Sequence, residues 1–349
     1  MSAELIHGRG SVINPTNRFV SLSVIPDPDT SPEERPAPQT LFFQDHTKTA
    51  IATNDSPDIG FDASLNPYRG CEHGCAYCYA RHFHEFLGFS AGLDFETRIM
   101  IKRDLPKLLR KELASESWKP QTISISGVTD AYQPVERTER ITRMCLEILA
   151  EFRNPVAIVT KSALVKRDAD VLAELASHQA AVVCISVTTL DNHLASIMEP
   201  RAASPRARLD AIRVLTQAGV PTGVMVAPII PGLTDHEMPD ILAAAAEAGA
   251  RFAHFLPVRL PLAVADVFQD WLERHFPRRK QKILDRIRSL RGGKLNESQF
   301  GKRFKGEGIW QEQFGRMFDV ARRRAGITGS FPKLSTAAFR RKTEQMSLF

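Results

Sequence analysis

Between residues 64 and 258, short runs of apolar and β-branched residues alternate with stretches of helical period. The runs cover 122–126, 155–160, 180–187, 221–227 and 251–256. Near-continuous apolar runs of this length are what strands covered on both faces require, as in a parallel sheet. The stretches between them put Leu105, Leu108, Leu109 and Leu113 on one helical face and Ile141, Cys145, Ile148, Leu149 and Phe152 on another. Segments 171–176, 208–218 and 238–248 complete the alternation. With the segment that leads into residue 71, six βα units are expected. That predicts an α/β fold built as an incomplete (βα)6 TIM-type barrel. The alternative is an open doubly wound sheet, although no G-x-G-x-x-G follows the first strand as its dinucleotide-binding version would need.

The flanks read differently. Residues 1–60 are rich in Pro, Asp, Thr and Ser, with short apolar pieces at 19–24 and 40–43. They predict an arm with one or two short strands, in which Arg9 and Arg18 could reach a phosphate. Residues 261–291 form an amphipathic helical pattern carrying Phe268, Trp271, Leu272, Phe276, Ile283, Leu284 and Ile287, with a break expected at Pro277. A basic aromatic segment follows at 300–310, then a helix through Arg322, Arg323 and Arg324. The expected organisation is an N-terminal arm (1–60), the partial barrel (61–258), a basic helical extension (259–343) and a tail (344–349).

Composition changes this picture in one respect. With 43% hydrophobic and 25% charged residues, the chain is ordinary for a globular protein. No run of about 18 apolar residues is present, which predicts no membrane span. The first residues lack a basic stretch followed by an apolar one, so a cytoplasmic location is expected. Charge is distributed unevenly, however. From Arg259 onward 21 Lys/Arg stand against 9 Asp/Glu, which leaves 25 against 31 in residues 1–258. The whole basic surplus therefore belongs to the C-terminal quarter, the footprint expected of a nucleic-acid contact or of a solvated helical surface. Aromatics interleaved with Lys302, Arg303 and Lys305 can stack on bases. Equally, Phe300, Phe304, Trp310, Phe314 and Phe318 can form the core of a small helical cap.

Candidate chemistry concentrates in Cys71-Glu-His-Gly-Cys75-Ala-Tyr77-Cys78-Tyr79, three of the five cysteines in a C-x3-C-x2-C spacing. Thiolates this close can converge on one soft centre, zinc or an iron–sulfur cluster. Zinc would need a fourth ligand, and His73, His82 or His84 is near enough in sequence to supply it. In a barrel, chemistry sits where the strands end at their C-termini. Those ends read Ser126-Gly-Val-Thr129-Asp130, Thr160-Lys161-Ser162, and Ser186-Val-Thr188-Thr189 followed by Glu199-Pro-Arg201.

The C-x3-C-x2-C spacing, with an aromatic before the last cysteine, resembles the signature of the radical S-adenosylmethionine (SAM) superfamily. Thr129-Asp130, Val159-Thr-Lys161, Ile185-Ser186-Val, Glu199-Pro-Arg-Ala-Ala-Ser-Pro and the run 218–229 are similar to the spore photoproduct lyase branch, also called DNA repair photolyase-like. The resemblance spans about residues 64–258. It implies that Cys71, Cys75 and Cys78 hold three irons of a 4Fe-4S cluster, leaving the fourth open for SAM. It further implies that Thr129, Asp130, Lys161 and Ser186 contact SAM, that Tyr77 lies beside its adenine, and that Arg201 is a candidate in the same region or a structural ion pair. Such an enzyme cleaves SAM to a 5′-deoxyadenosyl radical that abstracts hydrogen from substrate, and it needs an external electron donor.

One position departs from the branch. In spore photoproduct lyase the second strand ends Cys-x-(Ser/Thr)-Asp, and that cysteine, with two tyrosines, returns hydrogen to the product radical. The tyrosines match as Tyr77 and Tyr79, but the cysteine position is Gly127. Thymine-dimer lyase activity is therefore not carried over. The favoured substrate is DNA in another repair-type reaction. The alternatives are a radical SAM enzyme acting on RNA or protein, or a nucleic-acid-binding protein whose cluster or zinc is structural. The last five residues, Gln345, Met346, Ser347, Leu348 and Phe349, resemble the bacterial sliding-clamp-binding pentapeptide, or form a tail that packs on its own domain.

Overall fold

The structure, a computed structural model, describes residues 6–20 and 38–341. The pentapeptide 345–349 and most of the apolar piece at 19–24 lie outside the described residues. Among the described residues ten strands are present. β1 (Leu41–Gln44), β2 (Ile51–Thr53), β3 (Ala63–Leu65), β4 (Tyr68–Arg69) and β5 (Arg98–Ile101) come first. β6 (Ile123–Ile125), β7 (Val156–Thr160), β8 (Ala181–Ser186), β9 (Thr222–Ile229) and β10 (Ala253–Pro257) follow, alternating with helices.

The main sheet has the order β10-β9-β8-β7-β6-β3-β2. From β3 to β10 each strand is parallel to its neighbour, and β2 pairs antiparallel with β3 at the edge. Six parallel strands laid down in sequence order never reverse direction across the sheet. A doubly wound sheet has such a reversal, at its switch point, so the expected partial barrel is the one observed, and it is open. A second, small sheet, β1-β5-β4, stands beside it.

Burial explains the strand pattern. Every residue of β8 is buried, whereas β7 alternates buried and half-buried positions. Helices Leu105–Ala114, Ile141–Phe152, Ala169–Ser177, Pro205–Gln217 and Met238–Glu247 supply the covering face through Leu109, Leu149, Leu172, Ile212 and Leu242. The helix Pro205–Gln217 starts where the sequence permits. Ser204 Oγ accepts from Ala207 N, and Pro205 occupies the first turn, where no N–H is needed.

The C-terminal extension forms helices Val264–His275 and Lys280–Ser289, separated around Pro277 as expected, and helix Gly308–Arg324. The first two do not lie on the outer helical layer. Val264, Phe268, Trp271, Ile283 and Ile287 share one buried cluster with Cys75, Ala76 and Tyr77. Trp271 Nε1 also donates to the Ile197 carbonyl at 2.9 Å. Full burial of side chains such as Phe268 and Trp271 contributes about 1.5–3 kcal/mol each. The extension is thereby fixed against the cysteine loop. Among the described residues no helix is long and apolar enough to cross a membrane.

Candidate active site

The cysteine loop leaves β4 and is pinned by backbone bonds, from Cys71 N to Phe95 O at 2.9 Å and from Ala76 N to Met198 O at 3.0 Å. Beneath it lies Arg81, wholly buried. Its guanidinium donates to the carbonyls of Cys75 (2.9 Å), Gly74 (3.1 Å), Gly92 (2.8 Å) and Ala91 (3.3 Å), and pairs with Glu96 at 2.6 Å. Glu96 in turn accepts from the backbone N–H of Gly10 and Ser11 at 3.0 and 2.9 Å. The N-terminal arm is thus buckled onto the loop through one buried carboxylate. Space is tight there: a Cβ on Gly10 would lie 1.7 Å from the Gly74 carbonyl oxygen, and Gly74 itself holds φ +67°.

Burial pushes all three thiols up, and for Cys71 the charges of Asp130, Cys78 and Cys75 push further in the same direction. The three sulfurs are close enough to repel one another once ionised, and Arg81 partly offsets this at Cys78. Such a set is stable as thiolates only around a cationic centre. Of the histidines that a zinc site would call on, two have polar partners elsewhere, while neither ring nitrogen of His84 is hydrogen-bonded among the described residues. His73 Nδ1 lies 3.5 Å from Asp130, and His82 Nδ1 contacts the Tyr79 carbonyl at 2.6 Å. His84 is buried against the rings of Phe89 and Phe95.

The residues singled out at the strand ends converge on this loop. Asp130 is the hub: it accepts from Thr160 Oγ1 (2.7 Å), Lys161 N (2.8 Å) and Tyr132 N (2.9 Å), and its backbone reaches the Cys71 thiol. Lys161 Nζ donates to Ser186 Oγ at 2.9 Å and lies 5.8 Å from the centre of the Tyr77 ring. Ser186 donates onward to the Ala227 carbonyl at 2.9 Å, and Thr129 Oγ1 donates to the Tyr68 carbonyl at 3.0 Å. Lys161, Ser186, Asp130 and Tyr77 therefore form one connected wall, with Thr129 bracing its base.

Arg201, the weaker candidate, makes an ion pair. It pairs with Glu72 at 2.9 Å, while Glu72 also caps the Val135 N–H at 2.7 Å. Arg9 and Arg18 are likewise used internally, Arg9 on the Glu96 and Pro38 carbonyls and Arg18 on Glu85.

The two tyrosines differ. Tyr77 is buried, and its hydroxyl donates to Glu199, which also accepts from Thr188 Oγ1 at 2.8 Å and pairs with Arg208 at 2.5 Å. Burial alone would raise Glu199, but Arg208 and Lys161 outweigh it and hold the carboxyl at about 2. Tyr79 instead is half-buried, and its hydroxyl donates to the Gly127 carbonyl at 2.7 Å. Ser126, just before Gly127, holds φ 75°, a left-handed conformation uncommon for serine. Sequence reasoning missed Arg81, Glu96, Glu72 and Arg208. Each is a buried charge, and no spacing rule marks it before its partner is known.

The model of the Radical SAM superfamily matches residues 65–245. An uncharacterized protein of Mycobacterium tuberculosis, Rv2578c, is 34% identical over 234 residues, 66% of this chain and 68% of that protein. Among solved structures, a mutant of spore photoproduct lyase superposes with TM-score 0.58 at 15% identity, covering 84% of this chain and 82% of that one. Spore photoproduct lyase complexed with dinucleoside spore photoproduct gives 0.56 at 16% identity, covering 81% and 79%.

Proposed function

The chain belongs to the radical SAM superfamily, and we propose that this enzyme acts on nucleic acid, DNA foremost, in a repair-type reaction other than thymine-dimer lysis. Its cofactors are a 4Fe-4S cluster and SAM. The residues present fit both: three thiols of one loop that burial pushes up and whose charges would repel, and a lysine and hydroxyl wall beside them. Cys71, Cys75 and Cys78 would hold the cluster, and Lys161, Ser186, Asp130 and Thr129 would hold SAM. When bound, this pair supplies an electron, drawn from an external donor, and a 5′-deoxyadenosyl radical that takes hydrogen from the substrate.

The protein's own share is positioning. Lys161 presents a cation for the SAM carboxylate. Tyr77, its hydroxyl tied to Glu199 and its ring near the lysine, offers a rigid face for the adenine. Tyr79, whose hydroxyl donates to the carbonyl of Gly127, the position where the lyases carry a thiol, would with Tyr77 serve in returning hydrogen. Helices Val264–His275 and Lys280–Ser289 exclude water behind the loop.

One observation carries the nucleic-acid reading. The basic extension reaches the cysteine loop through Arg259, whose guanidinium stacks on the Tyr79 ring, with Arg303 following on Phe304, and this supports a positive charge beside the chemistry. The complex of spore photoproduct lyase with a dinucleoside supports the same class of substrate. A duplex base would have to be extruded to reach the site. Anaerobic loading with iron and sulfide, followed by dithionite and SAM, should yield 5′-deoxyadenosine. DNA, RNA and peptide substrates offered in parallel and compared by product mass then identify the class. A fully loaded protein that forms no 5′-deoxyadenosine sinks the enzyme reading, and a product found only on peptide sinks the nucleic-acid one.

The tail is proposed as a tether to a sliding clamp. Phe339 stands 6.3 Å from the Phe152 ring, Arg340 N donates to the Phe152 carbonyl at 3.0 Å, and Arg341 donates to the Trp118 carbonyl at 2.7 Å. Phe152 ends the helix that precedes β7, so the chain is anchored at the end of the barrel opposite the cysteines. Deleting 345–349 should abolish capture by an immobilised clamp, and undiminished capture removes this partner.

A further inference from the structure

The corner between the end of β10 and the segment 300–304 holds more positive charge than it can balance internally. Arg259, two residues past β10, has its guanidinium carbon 4.5 Å from the centre of the Tyr79 ring and 4.6 Å from that of Phe304. Arg303 continues the stack, 4.9 Å from Phe304 and 4.7 Å from Phe300, and Phe300 is 57% exposed. Behind them Arg291 is buried. It donates to the carbonyls of Arg303 (2.8 Å), Pro257 (3.2 Å) and Val258 (3.0 Å), while its Nε has no partner among the described residues. Among the described residues, of these three only Arg303 pairs with a carboxylate, Asp58 at 2.9 Å. Among the described residues Arg259 makes neither a hydrogen bond nor an ion pair, although every other arginine at the cysteine loop is engaged by carboxylates or carbonyls.

A guanidinium clamped between two rings keeps its flat faces covered and its N–H edge free. That edge is shaped for two oxygens of one oxyanion. Burial lowers Arg259, Tyr79 and Cys78 oppose this and repulsion from Arg303 adds to it, and a bound anion would offset the burial cost. The arrangement runs from Tyr79, at the reaction site, outward to an exposed aromatic ring.

We propose that Arg259 is a phosphate anchor for the substrate strand, gripping the phosphate next to the reacting nucleotide while Phe300 stacks on a neighbouring base. This rests on the nucleic-acid reading above and names the subsite that would carry it. The strand would be held single or locally opened, since a base reaches Phe300 only when it is unpaired.

The test uses cluster-loaded enzyme with fluorescein-labelled 12-mers of single-stranded DNA and of RNA, titrated by anisotropy at several salt concentrations. Arg259→Gln should weaken binding about 10- to 100-fold, the loss of a charge-assisted pair, and lower the salt slope by about 0.7, one phosphate contact on a single strand. Arg259→Lys should keep the slope and regain only part of the affinity, while Phe300→Ala should lose affinity with the slope unchanged. Iron content and thermal midpoint verify that each variant is folded. Which oligomer the parent prefers separates DNA from RNA. If the parent binds and Arg259→Gln binds equally well, the anchor is overturned while the nucleic-acid reading stands. A variant that binds equally but shifts the cluster's reduction potential assigns Arg259 to Cys78 instead and also overturns it. A parent that binds neither oligomer overturns both.

Discussion

Glu96→Gln is the sharpest perturbation of the cysteine loop, because one charge is removed while shape is kept. Glu96 and Arg81 are both fully buried, so solvent screens neither. Removing one partner of such a pair costs about 3–5 kcal/mol, since the remaining charge is left uncompensated. The glutamine oxygen can accept from only one of Gly10 and Ser11, and the amide NH2 faces the other, so the loss combines an uncompensated Arg81 with one orphaned backbone N–H. Against a typical stability of about 5–15 kcal/mol the effect is large. It also falls on the carbonyls of Gly74 and Cys75, which Arg81 holds, so the loop between Cys71 and Cys75 should loosen. Urea unfolding of the anaerobically loaded protein should show the loss, accompanied by reduced iron per chain. Glu139→Gln provides the contrast: it breaks the exposed pair with Arg103, of a kind worth at most about 1 kcal/mol. If Glu96→Gln unfolds within about 1 kcal/mol of the parent and keeps its iron, the buried pair does not hold the loop and the reasoning is wrong.

Three further outcomes are expected. Alanine at Cys71, Cys75 or Cys78 should abolish cluster absorbance and 5′-deoxyadenosine formation, whereas Cys184→Ala, inside β8, should retain both; a cluster that survives loss of any of the three removes the ligand assignment. Gly127→Cys should fold with a stability change under about 1 kcal/mol, because a Cβ there meets nothing nearer than Phe61 and Ser64 at 3.8 Å; a drop of several degrees in Tm would contradict that space. His84 is lowered by burial to about 4, so the folded state resists its protonation while the unfolded chain takes a proton near 6.5. Stability is then complete above pH 6.5 and falls as pH drops toward 4, by roughly 3 kcal/mol for this group. His84→Phe should remove that part of the slope in urea midpoints measured across the range, and an unchanged slope would assign it to other groups.

What was legible in the sequence was whatever repeats or lies close together along the chain. The apolar runs at 155–160 and 180–187 became β7 and β8, and sequential βα units gave a parallel sheet because each unit can pack only against its neighbour. The three cysteines sit within eight residues, so a shared centre could be inferred before any folding. Pro277 marked the break between two helices because it cannot donate within one.

The tertiary structure alone decided which charges work together. Arg81 and Glu96 look like ordinary polar residues until Gly10, from the far end of the arm, is laid on the same carboxylate. Nothing in the sequence pairs Arg201 with Glu72, 129 positions away, and the fold brings them to 2.9 Å. The stack of Tyr79, Arg259 and Phe304 joins positions up to 225 residues apart in number, from 79 to 304. The physical reason is the same in each case. Periodicity reports on which face of an element is buried. The stability of a buried charge depends on one specific partner, and only the folded chain brings that partner within reach.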